Sequence, residues 1–180
     1  TEEIDRENKI ITDLLSLVKM DKKAADMNIT NMNINELLEN ILKRLRPIAD
    51  QRRIDLILDS FRPVTADVDE VKFTLAISNL VENGIKYNVD EGWVRVTLDA
   101  DHKDFYVTVA DSGLGIPEDS IERIFERFYR VDKSHSREIG GTGLGLAIVK
   151  HIVARNGARM ELASEVGKGT EIRIYFDKAA

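Results

Sequence analysis

The chain has 180 residues, with 26 Lys and Arg against 32 Asp and Glu, for a formal net charge of −6. That length fits one domain with a short appendage, and a chain of this size buries close to about 70% of its unfolded surface, so it folds without a staple. The absence of Cys excludes disulfides, a thiol nucleophile and thiolate metal sites, and the acidic balance argues against a nucleic-acid binder.

No apolar run approaches the roughly 18 residues of a membrane span, and no basic segment followed by an apolar one opens the chain. The first residue is Thr1 rather than Met, so a fragment of something longer is expected. Residues 1–26 read as one helix in which Ile4, Ile11, Val18 and Ala25 recur every seven residues. That spacing marks the seam of a coiled coil or bundle. The stripe has no helical partner nearby in sequence and reads as half of a helical hairpin. The plainer alternative is an amphipathic helix packed on its own domain.

A polar stretch over 26–35 follows, in which Met32 and Ile34 alternate as a short edge strand. Asn35 is expected to cap a helix with Leu37, Leu38, Ile41, Leu42 and Leu45 on one face, and Pro47 to kink or end it. Short strands are expected at 54–59 and 64–67. A helix over 68–86 carries Val71, Leu75, Leu80 and Val81. Val94, Val96 and Leu98, then Phe105, Val107 and Val109, alternate about a turn and predict a hairpin with one wet face. An irregular region follows Asp111, with a short helix near 121–125. A helix over 144–156 comes next, then strands at 159–164 and 171–176 about a Gly167-Lys168-Gly169 turn. The elements mix without regular βαβ alternation. This predicts an α+β fold, a two-layer α/β sandwich with helices on one face of a mixed sheet.

Four segments carry chemistry. In Asn79-Leu80-Val81-Glu82-Asn83-Gly84-Ile85-Lys86-Tyr87, the two Asn share a helix face, and Lys86 and Tyr87 extend its edge. Asn is a weak helix former, so the pair either bridges a loop or turns amide oxygens toward a hard cation such as Mg²⁺, with Lys86 beside its phosphates. Asp111-Ser112-Gly113-Leu114-Gly115-Ile116-Pro117 puts a carboxylate at a strand end before two glycines. Such glycines serve an ordinary turn, or let a flat ligand approach the backbone. An acid there suits the exocyclic amine of adenine and not the oxygen of guanine. Phe125-Glu126-Arg127-Phe128-Tyr129-Arg130 reads as two aromatic anchors with two arginines emerging at fixed positions. Gly140-Gly141-Thr142-Gly143-Leu144-Gly145-Leu146 opens a helix and offers free N–H groups to an anion, although neither the P-loop nor the dinucleotide spacing is present. The charged stretch 129–139 between the last two reads as a lid, or as a solvated surface loop.

In this order the four segments resemble the N, G1, F and G2 boxes of the catalytic, ATP-binding domain of bacterial sensor histidine kinases. The match spans Asn79 to Leu146, and Gly167-Lys168-Gly169-Thr170 is similar to the family's turn before its last strand. Residues 1–26, with Leu14-Leu15-Ser16-Leu17 near their end, resemble the second helix of the family's dimerisation hairpin; residues 27–180 would then be the catalytic domain. The resemblance implies a Bergerat-type sandwich, shared with gyrase, the large heat-shock chaperone and mismatch-repair ATPases. It implies Asn83 as the main Mg²⁺ ligand with Asn79 close by, Lys86 and Arg130 on the ATP phosphates, Tyr87 near the sugar, and Asp111 on the adenine amine. Gly113, Gly115, Ile116, Phe128, Gly141, Thr142, Gly143, Leu144 and Gly145 would line the pocket.

Two departures stand out. Gly84 replaces the family's more frequent Ala, with a small expected effect. No phosphoacceptor is found: His102, His135 and His151 do not fit a His followed by an acid on a hairpin helix, which is expected upstream of Thr1. The related ATPases carry a general-base Glu where Asn79 stands, so slow hydrolysis is implied, with the γ-phosphoryl group passed to a His and then to the receiver Asp of a response regulator. The resemblance further implies a homodimer through the hairpin and a cytoplasmic place in a membrane-anchored sensor. The competing readings are an anti-sigma-type Ser/Thr kinase and a module that signals only by its nucleotide state.

Overall fold

The computed structural model describes residues 11, 28–121, 123–124, 145–155 and 158–177. Of the expected N-terminal helix only Ile11 lies among them; it is helical and exposed. Strand β1 (Ile29–Asn33) leads into helix α1 (Ile34–Gln51), and Asn33 caps that helix by accepting the Glu36 N–H at 3.2 Å. Asn35 was the expected cap. Its amide is instead committed to Ser60, to the Arg62 carbonyl and to the Val64 N–H, and Ile34 belongs to the helix rather than the strand. Ile34, Leu37, Leu38, Ile41, Leu42, Leu45 and Ala49 form one buried stripe at helical spacing.

Pro47 neither ends nor interrupts α1. It lies on the exposed face together with Lys43, whose carbonyl its ring leaves without a donor, and water can take that place. The helix stops four residues later, at Gln51. Ile54 N–H reaches back to the Ala49 carbonyl and Arg53 N–H to that of Asp50, with Arg53 at φ 57. This is the two-bond arrangement of a Schellman cap, here with Arg in the left-handed position that glycine usually fills.

Strands β2 (Asp55–Ser60) and β3 (Thr65–Asp69) follow, and helix α2 (Glu70–Lys86) begins on an Asp69 cap that accepts the Lys72 N–H at 3.1 Å. Val71, one of the apolar residues this helix was expected to carry, is 76% exposed. The buried face runs instead through Phe73, Ala76, Ile77, Leu80, Val81, Gly84 and Ile85. The hairpin is β4 (Trp93–Ala100) and β5 (Asp104–Asp111), and a 3-10 turn at Glu118–Ser120 stands near the expected short helix. Helix α3 (Gly145–Arg155) precedes β6 (Arg159–Glu165) and β7 (Gly169–Asp177).

The main sheet has the order β2-β4-β5-β7-β6, with β2 parallel to β4 and the other pairs antiparallel; β1 and β3 form a separate two-stranded sheet. This is the mixed sheet and two-layer α/β sandwich that the element pattern predicts. The core lies between the sheet's inner face and the helices. Phe105 stacks on Phe176 with ring centroids 4.9 Å apart, and Phe73 of α2 closes on Phe176 at 5.3 Å. Aromatic pairs of this geometry contribute about 0.5–1.5 kcal/mol each beyond their burial. Together with the α1 stripe they fix α2 over the centre of the sheet.

Candidate functional site

Strand pairing alone brings four side chains into line. Val94 of β4 pairs with Asp111 of β5, Asp111 with Thr170 of β7, and Thr170 with Ser164 of β6. Side chains alternate faces along a strand, and Val94 is fully buried under the helices, so the whole row points into the helical layer. A carboxyl is thus held at the end of β5 among apolar neighbours. Burial pushes Asp111 up to about 6 from the usual 3.8, although two backbone donors pull the other way. Gly113 N–H at 2.8 Å and Thr170 N–H at 3.3 Å both reach Oδ1. No described residue donates to Oδ2, which remains open to an incoming donor.

The segment after Asp111 is docked from the far side by the β6–β7 turn. Ile116 N–H donates to Ser164 Oγ at 2.8 Å, the Ser164 and Thr170 hydroxyls lie 2.7 Å apart, and Gly167 N–H donates to the Leu114 carbonyl at 3.0 Å. Gly113 and Gly115 are required by this closeness. A Cβ on Gly113 would lie 2.5 Å from the Tyr87 carbonyl oxygen and 2.7 Å from Asp111 Oδ1. At Gly115, φ is +76° and a Cβ would meet the Glu165 carbonyl oxygen at 2.2 Å.

On the near side, α2 supplies Asn79, Asn83 and Lys86, with Tyr87 as its C-cap. Asn79 is only 6% exposed, and its Nδ2 donates to the Leu75 carbonyl one turn back at 2.8 Å. Only the NH₂ end can make that bond, so its Oδ1 is the end left to face a partner. Asn83, Lys86 and Tyr87 are half-buried. Gly84 lets the helix sit low over the row: a Cβ there would be 3.2 Å from a Val94 methyl and 3.6 Å from the Asp111 Cβ. Leu114 N–H donates to the Tyr87 carbonyl at 3.0 Å and Ser112 Oγ to Asn88 Oδ1 at 3.0 Å, so the helix end and the segment after Asp111 form one edge.

The structure therefore brings Asn79, Asn83, Lys86 and Tyr87 on one element together with Asp111, Gly113, Gly115 and Ile116 on another. Gly145 opens α3, which packs against α2. Phe128, Arg130, Gly141, Thr142, Gly143 and Leu144 lie outside the described residues, as does the stretch 129–139 read as a lid. Four contributors escape a reading of the sequence. Thr170 and Ser164 enter only through strand register. Asn88, 4% exposed, donates from Nδ2 to the Trp93 carbonyl at 2.9 Å, and its one signal in the sequence is adjacency to Tyr87. Arg52 reaches across from the end of α1 to the carbonyls of Ile85, Lys86 and Asn88, the last at 2.7 Å, and nothing in its local sequence announces this.

A family model described as histidine kinase-, DNA gyrase B-, and HSP90-like ATPase matches residues 68–180. The phosphate regulon sensor protein PhoR of Pseudomonas aeruginosa is 36% identical over 174 residues, which is 97% of this chain and 39% of that protein. The sensor histidine kinase WalK of Bacillus subtilis is 35% identical over 173 residues, 94% of this chain and 28% of WalK. The chain spans less than half the length of either relative. Among solved structures, full-length ShkA in complex with AMPPNP matches with a TM-score of 0.83 at 27% identity, over 96% of this chain and 36% of that one.

Proposed function

The chain belongs to the histidine kinase-, DNA gyrase B-, and HSP90-like ATPase family, and from that premise we propose that it is the ATP-binding catalytic part of a sensor histidine kinase. In this reading residues 27–180 form the catalytic domain and residues 1–26 are the second helix of a dimerisation hairpin. The observation that carries it is the open acceptor of Asp111 in a buried row at the end of β5. Adenine presents an amine to that atom. Guanine presents an oxygen, and two acceptors face to face cost about 1–3 kcal/mol or more. The AMPPNP in the related ShkA complex supports the same ligand class.

The residues present also fit a divalent cation bound through its nucleotide. No cluster of three His, Cys, Asp or Glu exists among the described residues, so an all-protein cage is excluded there. Amide oxygens of Asn83 and Asn79 are hard donors of the kind Mg²⁺ accepts when phosphates and water complete its shell. Magnesium held there would neutralise charge on the terminal phosphates. Lys86 and Arg130 add fixed positive charge to the same oxygens, and Tyr87 borders the sugar. Gly113, Gly115, Ile116 and Phe128, with residues 141–145, line the remaining walls.

Asn79 decides between hydrolysis and transfer. An amide cannot take a proton from water, and its NH₂ is already spent on Leu75. Water is poorly activated, so the aligned γ-phosphoryl group awaits a better nucleophile. A His imidazole nitrogen on the first hairpin helix attacks in line, the bond to the leaving ADP oxygen breaks, and a response-regulator Asp later takes the group. The intact protein is then a homodimer through its hairpins and a cytoplasmic part of a membrane-anchored sensor; no described helix is itself long and apolar enough to cross a membrane.

The test is transfer in trans. The purified chain is mixed with γ-labelled ATP and a separately produced hairpin that carries the His followed by an acid. Label is expected on the hairpin and absent from one with His replaced by Gln. Tight ATP binding without transfer would leave a nucleotide-responsive module instead.

A further inference from the structure

Asn83 and Lys86 lie in the last turn of α2, and a helix C-terminus repels anions. It ends in carbonyls without donors and carries a partial negative charge of about half an electron. A polyphosphate is therefore read at the wrong end of this helix, and Lys86 has to offset that field as well as bind. The same end meets a second cation. Arg52 donates Nη1 to the Ile85 and Lys86 carbonyls and Nη2 to the Asn88 carbonyl at 2.7 Å. It thereby covers the last two carbonyls of α2 and that of Asn88 just past its cap.

Arg52 is well placed to do so. It is the C-cap of α1, locked by the Ile54 and Arg53 bonds back to Ala49 and Asp50. Its side chain is 31% exposed, and Asp90, its ion-pair partner among the described residues at 3.7 Å, is 87% exposed and so largely screened. A guanidinium presents several donors in a fixed plane, which suits adjacent carbonyls better than a single ammonium does.

We propose that Arg52 is a positioning residue for the phosphate half of the nucleotide: by covering the carbonyls that end α2, it turns a helix C-terminus into a surface that tolerates a polyphosphate and orients Lys86 and Tyr87 toward it. This rests on the reading of the site as an ATP site. The adenine half is anchored by separate bonds, because Asp111 takes its own from Gly113 and Thr170, and Arg52 hydrogen-bonds neither.

That independence gives the experiment. Adenosine and ADP are titrated by NMR into the purified chain and into Arg52→Gln and Arg52→Lys, with thermal melts of all three. Arg52→Gln is expected to weaken ADP by about threefold to tenfold, the range that helix-terminus charge effects convert to. Adenosine should bind as in the parent, and Arg52→Lys should recover part of the loss. Should Arg52→Gln fail to fold, Arg52→Lys alone still separates the two ligands. Equal losses for adenosine and ADP would make Arg52 a purely structural residue, and unchanged ADP binding would make it irrelevant to the site; either overturns the inference. A parent chain that binds neither ligand instead overturns the ATP reading, and the inference with it.

Discussion

Keeping Asp111 ionised costs the fold stability. Both states are protonated below the unfolded value of 3.8, so the cost is absent there; it grows as pH rises and is complete above about 6. The gap between the two values corresponds to roughly 3 kcal/mol. Asp111→Asn retains a carbonyl oxygen for Gly113 and Thr170 but sets an NH₂ where the adenine amine would sit. At pH 7 the variant should therefore melt higher by about 6–12 °C, with most of the gain gone by pH 4, and it should no longer bind adenosine. A variant less stable than the parent at pH 7 would refute burial as the cause. In the parent, adenosine affinity should rise as pH rises through about 6, because only the carboxylate is a pure acceptor. Adenosine is the right probe, since nucleotide phosphates titrate near about 6 themselves. Asp111 was legible before folding as an acid at a strand end beside two glycines. Its partner Thr170, 59 residues away, was not, because only the register of β5 on β7 brings the two together.

Spacing between elements decides how deep the row lies. Helix α2 approaches β4 and β5 at Gly84, where a Cβ would stand 3.2 Å from Val94, itself fully buried. Gly84→Ala recovers about 1 kcal/mol of helix propensity and spends part of it on moving Val94 by a few tenths of an ångström. Its net effect in urea denaturation should stay under about 1 kcal/mol. Gly84→Leu has no room and should lose about 1–3 kcal/mol. Because the same contact leads on to the Asp111 Cβ at 3.6 Å, it should also weaken adenosine binding. A Leu variant as stable as the parent would show that the helix is free to lift. Periodicity located the longer helices among the described residues and most strands, since a buried stripe at helical spacing or an alternating strand is written locally. Caps and edges were less legible. Asn33 and Asn35 have the same capping chemistry, and only the position of Ser60, Arg62 and Val64 decides that Asn35 is occupied elsewhere.

At the scale of the molecule, the sheet has helices on one face and nothing described on the other. The alternation of β4 and β5 announced that wet face, but not how it is finished. Arg173 of β7 donates to Thr108 Oγ1 at 2.9 Å and lies 5.0 Å from the Tyr106 ring centroid, while Arg159 sits 4.2 Å over Tyr175. Tyr106 donates to Asp99 at 3.3 Å, and Asp99 pairs with Arg62 at 2.8 Å. Burial and the neighbouring Asp99 hold the Tyr106 hydroxyl above its ordinary value, and the Tyr175 hydroxyl helps hold Arg173 charged. Flat aromatic and guanidinium groups thus cover strands that a second helical layer would cover elsewhere. Arg173→Ala removes two hydrogen bonds, to Thr108 Oγ1 and to the Tyr175 hydroxyl, and the stacking on Tyr106, together about 1–2 kcal/mol. The melting temperature should fall by about 2–8 °C. Adenosine affinity should not change, because the Asp111 row faces the opposite side of the sheet. Combining Arg173→Ala with Asp111→Asn should give stability changes that add within about 0.5 kcal/mol, as expected for sites without shared partners. A larger departure in the double-mutant cycle would mean that the two faces communicate through β5 and β7.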